Sequence, residues 1–505
     1  MKAILLLPAL VACAGSSGDC ELATEQVSAC YGDDIGAAFA ESCTPEAATK
    51  ALSEQCATND GGKGDLFATP ILRPPVEQFK YGSIGADKLG MPLSILRAIP
   101  IVCADLMPAG ANPRQYPLTA FGMIYEVGHD TPIGFSKRTL PLIGTPLVGN
   151  TCSACHTTTV RESAGAPGTI YFGAPNTRFD LQTYNEFLFR CIGDSSRFNA
   201  TTLGRAFDEL GITGFDRLLA YKSSFFQAFV ANLQQRFESV VSDGPWGPGR
   251  DDAIGLSAAM LLGPQYLPTI ATPVDFPSVW NQAARKGHAL HWDGAAGSAL
   301  ERNVLVAVGA GTPKDLVPLE SIAAIQSWLE TLPPPKYPYA IDSSKLARGA
   351  QVYGERCASC HAPGGARTWS VIALSEIGTD PNRVAAVTQN AIDAMNNLSG
   401  YGWAFDNFRK TNGYLTSLLD GIWLRAPYLH NGSVPTLRDL LRPAAQRPAT
   451  FYRGSDVYNQ TDVGFSPGTM LYDTRLQGNS NRGHEYGTDL VPADIDALLE
   501  YLKTL

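Results

Sequence analysis

Two five-residue segments carry the residue types most capable of chemistry in this chain. They read Cys152-Ser153-Ala154-Cys155-His156 and Cys357-Ala358-Ser359-Cys360-His361. Two thiols separated by two residues can add to both vinyl groups of one haem, and the histidine that follows reaches the iron as its proximal ligand. The chain has 11 Cys among 505 residues, so two such segments by chance are negligible. We therefore predict two covalently attached haems c, ligated by His156 and His361.

The same cysteine spacing also occurs in zinc sites and in thioredoxin-type redox motifs. Zinc would need a second pair of ligands close by in the sequence, and neither segment has one. The spacing together with the adjacent histidine therefore favours haem attachment at both segments.

The start of the chain has the pattern of an export signal. Residues 1–12 hold one cation, Lys2, and an apolar run over 3–11 that is too short to span a bilayer. The run ends in Leu10-Val11-Ala12-Cys13, which is similar to the lipobox of bacterial lipoproteins, and the alternative is an ordinary secretory signal cut further on. We expect an exported protein, either secreted or held on the periplasmic side of a bacterial membrane through a lipid on Cys13.

The cysteines left after the haem segments and Cys13 are even in number, which suggests disulfides in an exported protein. Cys103 and Cys191 form one expected pair, with two free buried thiols as the alternative. The others lie in a stretch rich in Ala and Glu, for which we expect a disulfide-clipped helical hairpin of nested or alternating connectivity: Cys20, Cys30, Cys43 and Cys56.

The overall composition excludes some functions and predicts long loops. The net charge of −9 argues against a nucleic-acid partner. Only 17% of residues are charged, whereas Gly (49) and Pro (35) are plentiful, which is typical of long connections.

The sequence divides into four parts. We predict a lipoprotein-type signal peptide over 1–12, a Cys-rich helical segment and linker over 13–64, and two cytochrome c-like haem domains over 65–335 and 336–505. The last boundary follows a stiff Pro-rich run at 333–338. The expected fold is mainly α, with two cytochrome c-like haem domains joined by long loops and a small helical N-terminal segment.

The two haem domains have the pattern of diverged copies of one module. Apolar residues at helical spacing predict helices over 318–332 and 492–505. Their ends, Trp328-Leu-Glu-Thr-Leu332 and Tyr501-Leu-Lys-Thr-Leu505, match in residue type. Two unrelated amphipathic helices are the alternative.

The second module also begins like a single-haem cytochrome c. A helix predicted over 344–356 places one small and two larger residues on a single face before the haem cysteines: Leu346, Gly349 and Tyr353. Packing of that face on the terminal helix would resemble class I cytochromes, whose first and last helices cross. The first module lacks such a clean opening helix and has a long stretch over 157–275 after its haem segment.

The second axial position of each iron decides what each haem can do. One histidine lies in a prominent segment, Ala426-Pro-Tyr-Leu-His430-Asn-Gly-Ser-Val-Pro-Thr-Leu437, and an altered copy, Ala289-Leu-His-Trp292-Asp-Gly294, occurs in the first module. Aligning their Asn-Gly and Asp-Gly pairs places Trp292 opposite His430. Tryptophan cannot ligate iron, so the two haems are expected to differ.

These segments, together with the two Cys-x-x-Cys-His sites, resemble the bacterial dihaem cytochrome c peroxidase superfamily, and within it the branch typified by the rubber-cleaving oxygenases. The resemblance covers most of 76–505 in motif order. It implies that His430 is the sixth ligand of the C-terminal haem. It also implies that His156 is the only protein ligand of an N-terminal haem left open to dioxygen.

The sequence departs from the peroxidases at two places. Ala444 stands where they carry a methionine, and no histidine lies between His156 and His288. The rubber-cleaving enzymes are longer chains, so their substrate does not transfer.

Several residues around these segments have two interpretations each. For His430 the alternative is a structural histidine, with Met395, Met470 or His484 as the ligand. Trp292 and Trp280 are either core aromatics or a relay between the haems.

Acid–base candidates are also open to two interpretations. His291 is the nearest candidate for distal acid–base chemistry, against a buried hydrogen-bonded histidine. Glu301 resembles the acidic residue by which the peroxidases assist O–O cleavage, against a helix cap or surface carboxylate. Arg250, in a Gly- and Pro-rich loop, is a weak candidate for a propionate contact.

The expected function is that of an oxidoreductase. A five-coordinate N-terminal haem would bind peroxide or dioxygen, and a bis-histidine C-terminal haem between His361 and His430 would pass electrons. A small redox protein would be the electron donor, and an apolar organic molecule is a further substrate class. The alternatives are a plain electron carrier, with the first haem closed through His129 or His291, and a haem-based sensor without turnover.

Overall fold

The computed structural model describes residues 73–139, 145–241, 244–270 and 272–505. The predicted signal peptide, Cys13 and the Cys-rich stretch therefore lie outside the described residues. The α-helices within these ranges are Pro75–Tyr81, Leu93–Val102, Leu181–Gly193, Ala200–Leu210, Gly214–Leu218, Ser223–Val241, Ala253–Leu261, Ala299–Gly309, Leu319–Thr331, Leu346–Arg356, Ala358–His361, Leu374–Ile377, Asn382–Ala386, Gln389–Asn396, Leu437–Leu440 and Pro492–Leu502.

The strands are short and antiparallel, and one sheet has three strands in the order Met91–Pro92, Pro146–Asn150, Phe135–Thr139. The other sheets described are pairs: Thr157–Val160 with Thr169–Phe172, Arg250–Asp251 with Val274–Asp275, Val371–Ala373 with Gly413–Leu415, Thr450–Arg453 with Met470–Asp473, and Tyr458–Asn459 with Gly464–Phe465. The predicted mainly helical fold is confirmed in part, because helix predominates at 42% but strand reaches 12%.

The opening and terminal helices of the second module cross as predicted. Helix Leu346–Arg356 packs on helix Pro492–Leu502, and Gly349 lies at the crossing. A Cβ atom at Gly349 would overlap the carbonyl oxygen of Ala497, so only glycine permits this close approach. Beside the crossing, the rings of Tyr353 and Tyr501 lie 5.2 Å apart.

The first module also begins with a helix, but a strand, Pro146–Asn150, and not a helix lies directly before its haem cysteines. Helix Pro75–Tyr81 packs on helix Leu319–Thr331, with the rings of Phe79 and Trp328 4.8 Å apart. This helix starts with a proline and has only seven residues, so it is too short to show helical periodicity in the sequence. Trp328 occupies the same place in its module as Tyr501 does in the second, which supports a common origin of the two modules.

Two hairpins repeat in the same way. Leu290 pairs with Ala296 across one tight turn, and Tyr428 pairs with Val434 across the other. The sequence alignment of Asp293-Gly294 with Asn431-Gly432 equates these pairs residue for residue. Both glycines have positive φ, +69° and +61°, which a residue with a side chain rarely adopts. The alignment of the two segments is therefore confirmed by their backbone geometry.

Three large hydrophobic clusters lie in the described part of the molecule, besides a small one at Val240 and Trp246. One joins the helices between 93 and 230, one lies under the second Cys-x-x-Cys-His segment, and one spans both modules from Phe79 to Phe408. The Pro-rich run at 333–338 packs against the second module, where the indole Nε1 of Trp423 donates to the carbonyl of Pro335 at 2.8 Å. The predicted disulfide between Cys103 and Cys191 is present and ties helix Leu181–Gly193 to the end of helix Leu93–Val102.

Candidate functional site

A cavity of about 530 Å³ opens beside the first Cys-x-x-Cys-His segment, and Cys152, Cys155 and His156 all line it. We call this space the first cavity. Most of its wall is apolar and comes from three helices that follow the segment in sequence, through side chains such as Leu188, Phe189, Phe229, Leu256 and Met260. The long stretch after the first haem segment thus encloses the space beside that segment.

The imidazole of His156 is oriented by a single hydrogen bond. Its Nδ1 lies 2.9 Å from the carbonyl oxygen of Pro277. Since a carbonyl only accepts, Nδ1 carries the proton and Nε2 keeps its lone pair, as in metal-ligating histidines. Burial lowers the pKa of His156 to about 4, so the ring is neutral at physiological pH. His156 is therefore arranged to ligate a metal through Nε2.

The cysteines of both segments are free thiols, whereas Cys103 and Cys191 are joined. Burial raises the pKa of the Cys152 thiol to about 11. Two unpaired thiols beside an oriented histidine and an apolar cavity fit a haem held by two thioether bonds. The residues present therefore fit haem c at the first segment.

The second segment repeats this arrangement. Nδ1 of His361 donates to the carbonyl oxygen of Ser417 at 2.7 Å, so its Nε2 is likewise available. Pro277 and Ser417 each follow a short strand, Val274–Asp275 or Gly413–Leu415, by the same number of residues. Equivalent strands thus orient the two proximal histidines.

The ring found against His361 is that of His484, not that of His430. The two ring centroids lie 6.2 Å apart with the planes inclined by 45°. A metal–imidazole bond is about 2 Å long, so this separation has room for one metal atom bonded to both rings. The residues of the second segment thus fit a haem with two histidine ligands.

His484 is held in a strained backbone conformation. Its φ is +49°, its N–H donates to the carbonyl of Ile377 at 2.8 Å, and its carbonyl accepts from the guanidinium of Arg447. Burial lowers its pKa to about 4, and the fields of His361 and Arg447 act in the same direction. Strain of this kind persists where surrounding contacts over-determine a residue, which is common at functional sites.

His430 is buried elsewhere. Its ring stacks on Tyr414, with centroids 3.9 Å apart and planes inclined by 19°. Burial, followed by the fields of Arg383 and Arg250, lowers its pKa well below the usual range. The expected approach of His430 to His361 is therefore not what the structure shows, because the aromatic stack and the hairpin backbone hold it beside Tyr414.

The hairpins that carry Trp292 and His430 each hydrogen-bond to a strand of the other module, and we call this arrangement the exchange of hairpins. The carbonyl of His430 accepts from the N–H of Asp275 at 2.9 Å, and the carbonyl of Trp292 accepts from the N–H of Leu415 at 2.8 Å. Each hairpin therefore bonds the strand that orients the other module's proximal histidine. The indole Nε1 of Trp292 also donates to the carbonyl of Asp275 at 3.0 Å.

Comparisons with known proteins place this site in a family. Residues 413–452 match the family described as "RoxA-like, cytochrome c-like", and residues 344–403 match "Cytochrome C oxidase, cbb3-type, subunit III". These matches support a c-type cytochrome of the RoxA-like branch. They imply covalently bound haem c and support a role in haem-based redox chemistry or electron transfer.

This cytochrome is also similar to two uncharacterized proteins of Sinorhizobium fredii. With y4iM it is 33% identical over 297 residues, which cover 47% of this chain and 66% of the relative. With y4iJ it is 26% identical over 512 residues, which cover 77% of this chain and 84% of the relative. The first match spans just under two thirds of the relative's length.

Of the predicted acid–base residues, the structure brings His291 and Trp292 to the first cavity. His291 has a φ of +70°, and burial lowers its pKa to about 4, so its ring is neutral. Glu301 is engaged outside the cavity lining. Its carboxylate accepts from the N–H groups of Asp406 and Asn407, at 3.2 and 3.0 Å, which makes it a loop cap.

The remaining candidates have structural contacts. Trp280 is fully buried and donates to the carbonyl of Asp420 at 3.1 Å. Arg250 is fully buried and donates to the carbonyls of Trp246 and Pro273. His129 lies at the surface, stacked on a tyrosine ring 4.7 Å away.

Sequence reasoning did not single out several charged residues that line the first cavity, among them Asp251, Arg302 and Arg383. Burial raises the pKa of Asp251 to about 7, with Asp252 adding to the shift and Arg383 opposing it. Arg302 is bonded to neutral amide oxygens of Asn303, Gln282 and Gln326. Asp251 and Arg302 had only their adjacency to Arg250 and Glu301 as a sequence signal, and Arg383 had none.

Proposed function

We propose that this cytochrome is a dihaem oxidoreductase with unequal haems. The first haem would be attached at Cys152 and Cys155 with His156 as its protein ligand, and the second at Cys357 and Cys360 with His361 and His484. One observation carries the proposal: the ring 6.2 Å from that of His361 belongs to His484, whereas the ring 6.4 Å from that of His156 belongs to Phe276, which cannot ligate iron.

When bound, the first haem would supply an iron able to take up peroxide or dioxygen. The chain supplies orientation through the bond of His156 to Pro277, and it excludes water with the apolar helices around the first cavity.

The second segment is the more accessible of the two. Ser359, inside it, is exposed, whereas Ser153, its counterpart in the first segment, is 1% exposed. An electron donor, a small redox protein, would therefore meet the second haem first. Trp292, which touches both modules through its hydrogen bonds to Asp275 and Leu415, lies between the two proximal strands and would couple the haems.

A second candidate function is plain electron transfer. His291 and three methionines line the first cavity, and any of them would close the first haem if it reached the iron: Met91, Met260 and Met395. Both haems would then be six-coordinate and neither would bind an external ligand.

Low-temperature EPR of the oxidised holoprotein separates these functions. We expect one high-spin and one low-spin haem per chain, and cyanide binding at the high-spin haem alone. A pyridine haemochrome titration should give two haems per chain. Two low-spin signals with no cyanide binding would show that the protein is an electron carrier.

The location of the protein is part of the proposal. Attachment of haem c takes place outside the cytoplasm, so we propose export, with a lipid on Cys13 as its anchor. No helix in the described part of the chain is long and apolar enough to cross a bilayer. Labelling of the expressed protein with radioactive palmitate, with Cys13→Ser as the control, tests the anchor.

A further inference from the structure

A second concave site lies on the surface of this molecule, and it is polar. This surface pocket, of about 1000 Å³, is lined by residues of 376–382, 444–449 and 474–485. Two of its lining residues, Asp380 and Ser480, are bonded to each other, the Ser480 N–H donating to the Asp380 carboxylate at 3.2 Å. Asp380 is 5% exposed, so its carboxylate lies at the buried end of the pocket.

From Ser480 a run of buried polar contacts leads inward. The side-chain amide of Asn431 donates to the carbonyl of Ser480 at 3.0 Å, and the Tyr472 hydroxyl donates to the carbonyl of Asn431 at 3.1 Å. The guanidinium of Arg250 lies 5.0 Å from the ring of Tyr472. The backbones of Arg250 and Asp275 lie opposite each other in a two-stranded sheet, and the Asp275 carboxylate accepts from the guanidinium of Arg453 at 2.6 Å.

The run ends at the first cavity. Asp275 and Asp251, which belong to the same strand pair, line that cavity, and so does Arg383. Arg383 donates to Asp293, a further lining residue, at 3.3 Å. Buried polar residues thus lead from the surface pocket to the first cavity, and we call them the polar layer.

This layer holds many buried polar atoms that have no protein partner. They belong to residues at the pocket end, in the middle and at the cavity end of the run: Thr379 Oγ1, Asn382 Nδ2, Asn431 Oδ1, Ser433 Oγ, Arg250 Nε and Arg383 Nη1. Buried polar groups are nearly always hydrogen-bonded, and where the protein supplies no partner, internal water does. Water molecules in this layer would connect its two ends.

We propose that this hydrated layer conducts protons from the surface pocket to the first cavity. The inference rests on the proposed function, and in particular on peroxide as substrate. Reduction of one hydrogen peroxide to two waters takes up two electrons and two protons, and the electrons come from the redox protein named above. The walls of the first cavity are mainly apolar, so the protons need a polar route, and Asp380 and Asp251 stand at its two ends.

Asp251 is the acceptor at the cavity end. The charged and titratable groups that act on it are Asp252, Arg383 and the Cys155 thiol, and the last becomes an uncharged thioether in the holoprotein. An electron added to the first haem places negative charge beside this carboxylate and raises its affinity for a proton. Reduction near neutral pH should therefore draw one proton through the layer even without substrate.

The test is photoreduction of the oxidised holoprotein in weak buffer with a pH-indicating dye. Haem absorbance reports arrival of the electron, and the dye reports uptake of the proton. In Asp380→Asn we expect proton uptake to slow on the order of 100-fold with electron arrival unchanged, the scale on which positioned proton donors act. Asp251→Asn should abolish the proton signal.

Glu376→Gln is the matched control, because Glu376 lines the same surface pocket but is exposed and paired with Arg367. It should leave both signals unchanged. Equal dye kinetics in wild type and Asp380→Asn, or no proton uptake by the wild type, would overturn the proposal. Since no peroxide is present, a protein that lacks peroxidase activity but shows this proton uptake would refute the proposed function and leave the path intact.

A crystal structure of the holoprotein gives an independent measurement for variants that fold poorly. Ordered waters bonded to Arg383 Nη1, Asn431 Oδ1 and Ser433 Oγ are expected. A dry layer at these atoms would refute the path.

Discussion

The imidazole rings of His361 and His484 face each other at 6.2 Å, although 123 residues separate them in the sequence. The two rings reach this position by different means. His361 follows its cysteines directly and is oriented by Ser417, whereas His484 lies in a loop fixed by Ile377 and Arg447. The pair defines a place for one metal atom between two independently held ligands.

Replacement of His484 tests this pair. In His484→Ala we expect the low-spin EPR signal of the second haem to be replaced by a high-spin signal, because one axial ligand is lost. In the matched variant His430→Phe, which keeps a ring against Tyr414, the low-spin signal should persist. If the low-spin signal were lost in His430→Phe and kept in His484→Ala, the sixth ligand would be His430, as the sequence motif indicated.

The helix crossing of the second module should be sensitive to a single methyl group. Gly349→Ala places a Cβ against the carbonyl of Ala497, and we expect it to lower the free energy of unfolding by about 1–3 kcal/mol, as overpacking does. Gly354→Ala is the control, since it lies in the same helix with open space around it. It should raise stability by about 0.5–1 kcal/mol. Denaturant unfolding of the holoproteins, followed by circular dichroism, measures both.

Trp292 should affect electron exchange between the haems as well as stability. Trp292→Phe removes the donor to the carbonyl of Asp275 and should cost about 1–3 kcal/mol. We also expect slower electron exchange, measured by flash photolysis of the half-reduced protein. Trp280→Phe removes a similar bond, to Asp420, and should cost similar stability without slowing the exchange. Equal rates of electron exchange in the two variants would show that Trp292 does not couple the haems.

The disulfide should support the wall of the first cavity. It joins Cys103 and Cys191, which are 88 positions apart, and the helix that carries Cys191 lines the cavity. Replacing both cysteines by Ala should lower the free energy of unfolding by about 2–5 kcal/mol. Dithiothreitol should have the same effect on the wild type, because it reduces disulfides and leaves thioether bonds intact. A wild type whose unfolding is indifferent to dithiothreitol would argue against a structural role for the bond.

Stability should depend on pH through Asp251. Burial holds its pKa at about 7 in the folded protein, against about 3.9 in an unfolded chain. A raised carboxyl pKa gives a stabilisation that is complete below the unfolded value and is lost as the pH rises through the folded value.

Asp251→Asn cannot ionise, so it should gain stability relative to the wild type between about pH 5 and about pH 8, by on the order of 1–3 kcal/mol. Melting temperatures of the two holoproteins across this range measure the difference. A constant difference would mean that Asp251 does not titrate in this window. Asp252→Asn is not a suitable control, because Asp252 caps the helix Ala253–Leu261.

The sequence predicts the features that depend on local pattern. Haem attachment follows from five adjacent residues, and the crossing helices follow from apolar spacing and Gly349. The matched hairpins follow from two aligned turn pairs, Asp293-Gly294 and Asn431-Gly432. In the haem segments and the hairpins, neighbours in sequence are neighbours in space. The helix crossing was instead expected from the likeness to class I cytochromes.

Features that depend on long-range packing escape the sequence. His430 and His484 are both histidines in Gly- and Asn-rich loops, and only the fold determines that His484 meets His361. The first module's opening helix is too short for its periodicity to be read. Asp251 reaches the first cavity because its two-residue strand pairs with the strand Val274–Asp275. Strands of two residues are too short to be predicted from a sequence pattern.

The exchange of hairpins between the modules makes the two halves of this protein mutually dependent. If the chain were cut at the Pro-rich run, the N–H groups of Asp275 and Leu415 would both lose their acceptors, and each half would keep a haem segment whose orienting strand is incomplete. We therefore expect neither half to form a complete haem site when it is expressed alone. A substitution in one module's turn would disturb the strand that orients the histidine of the other module, so the two turns are expected to vary together.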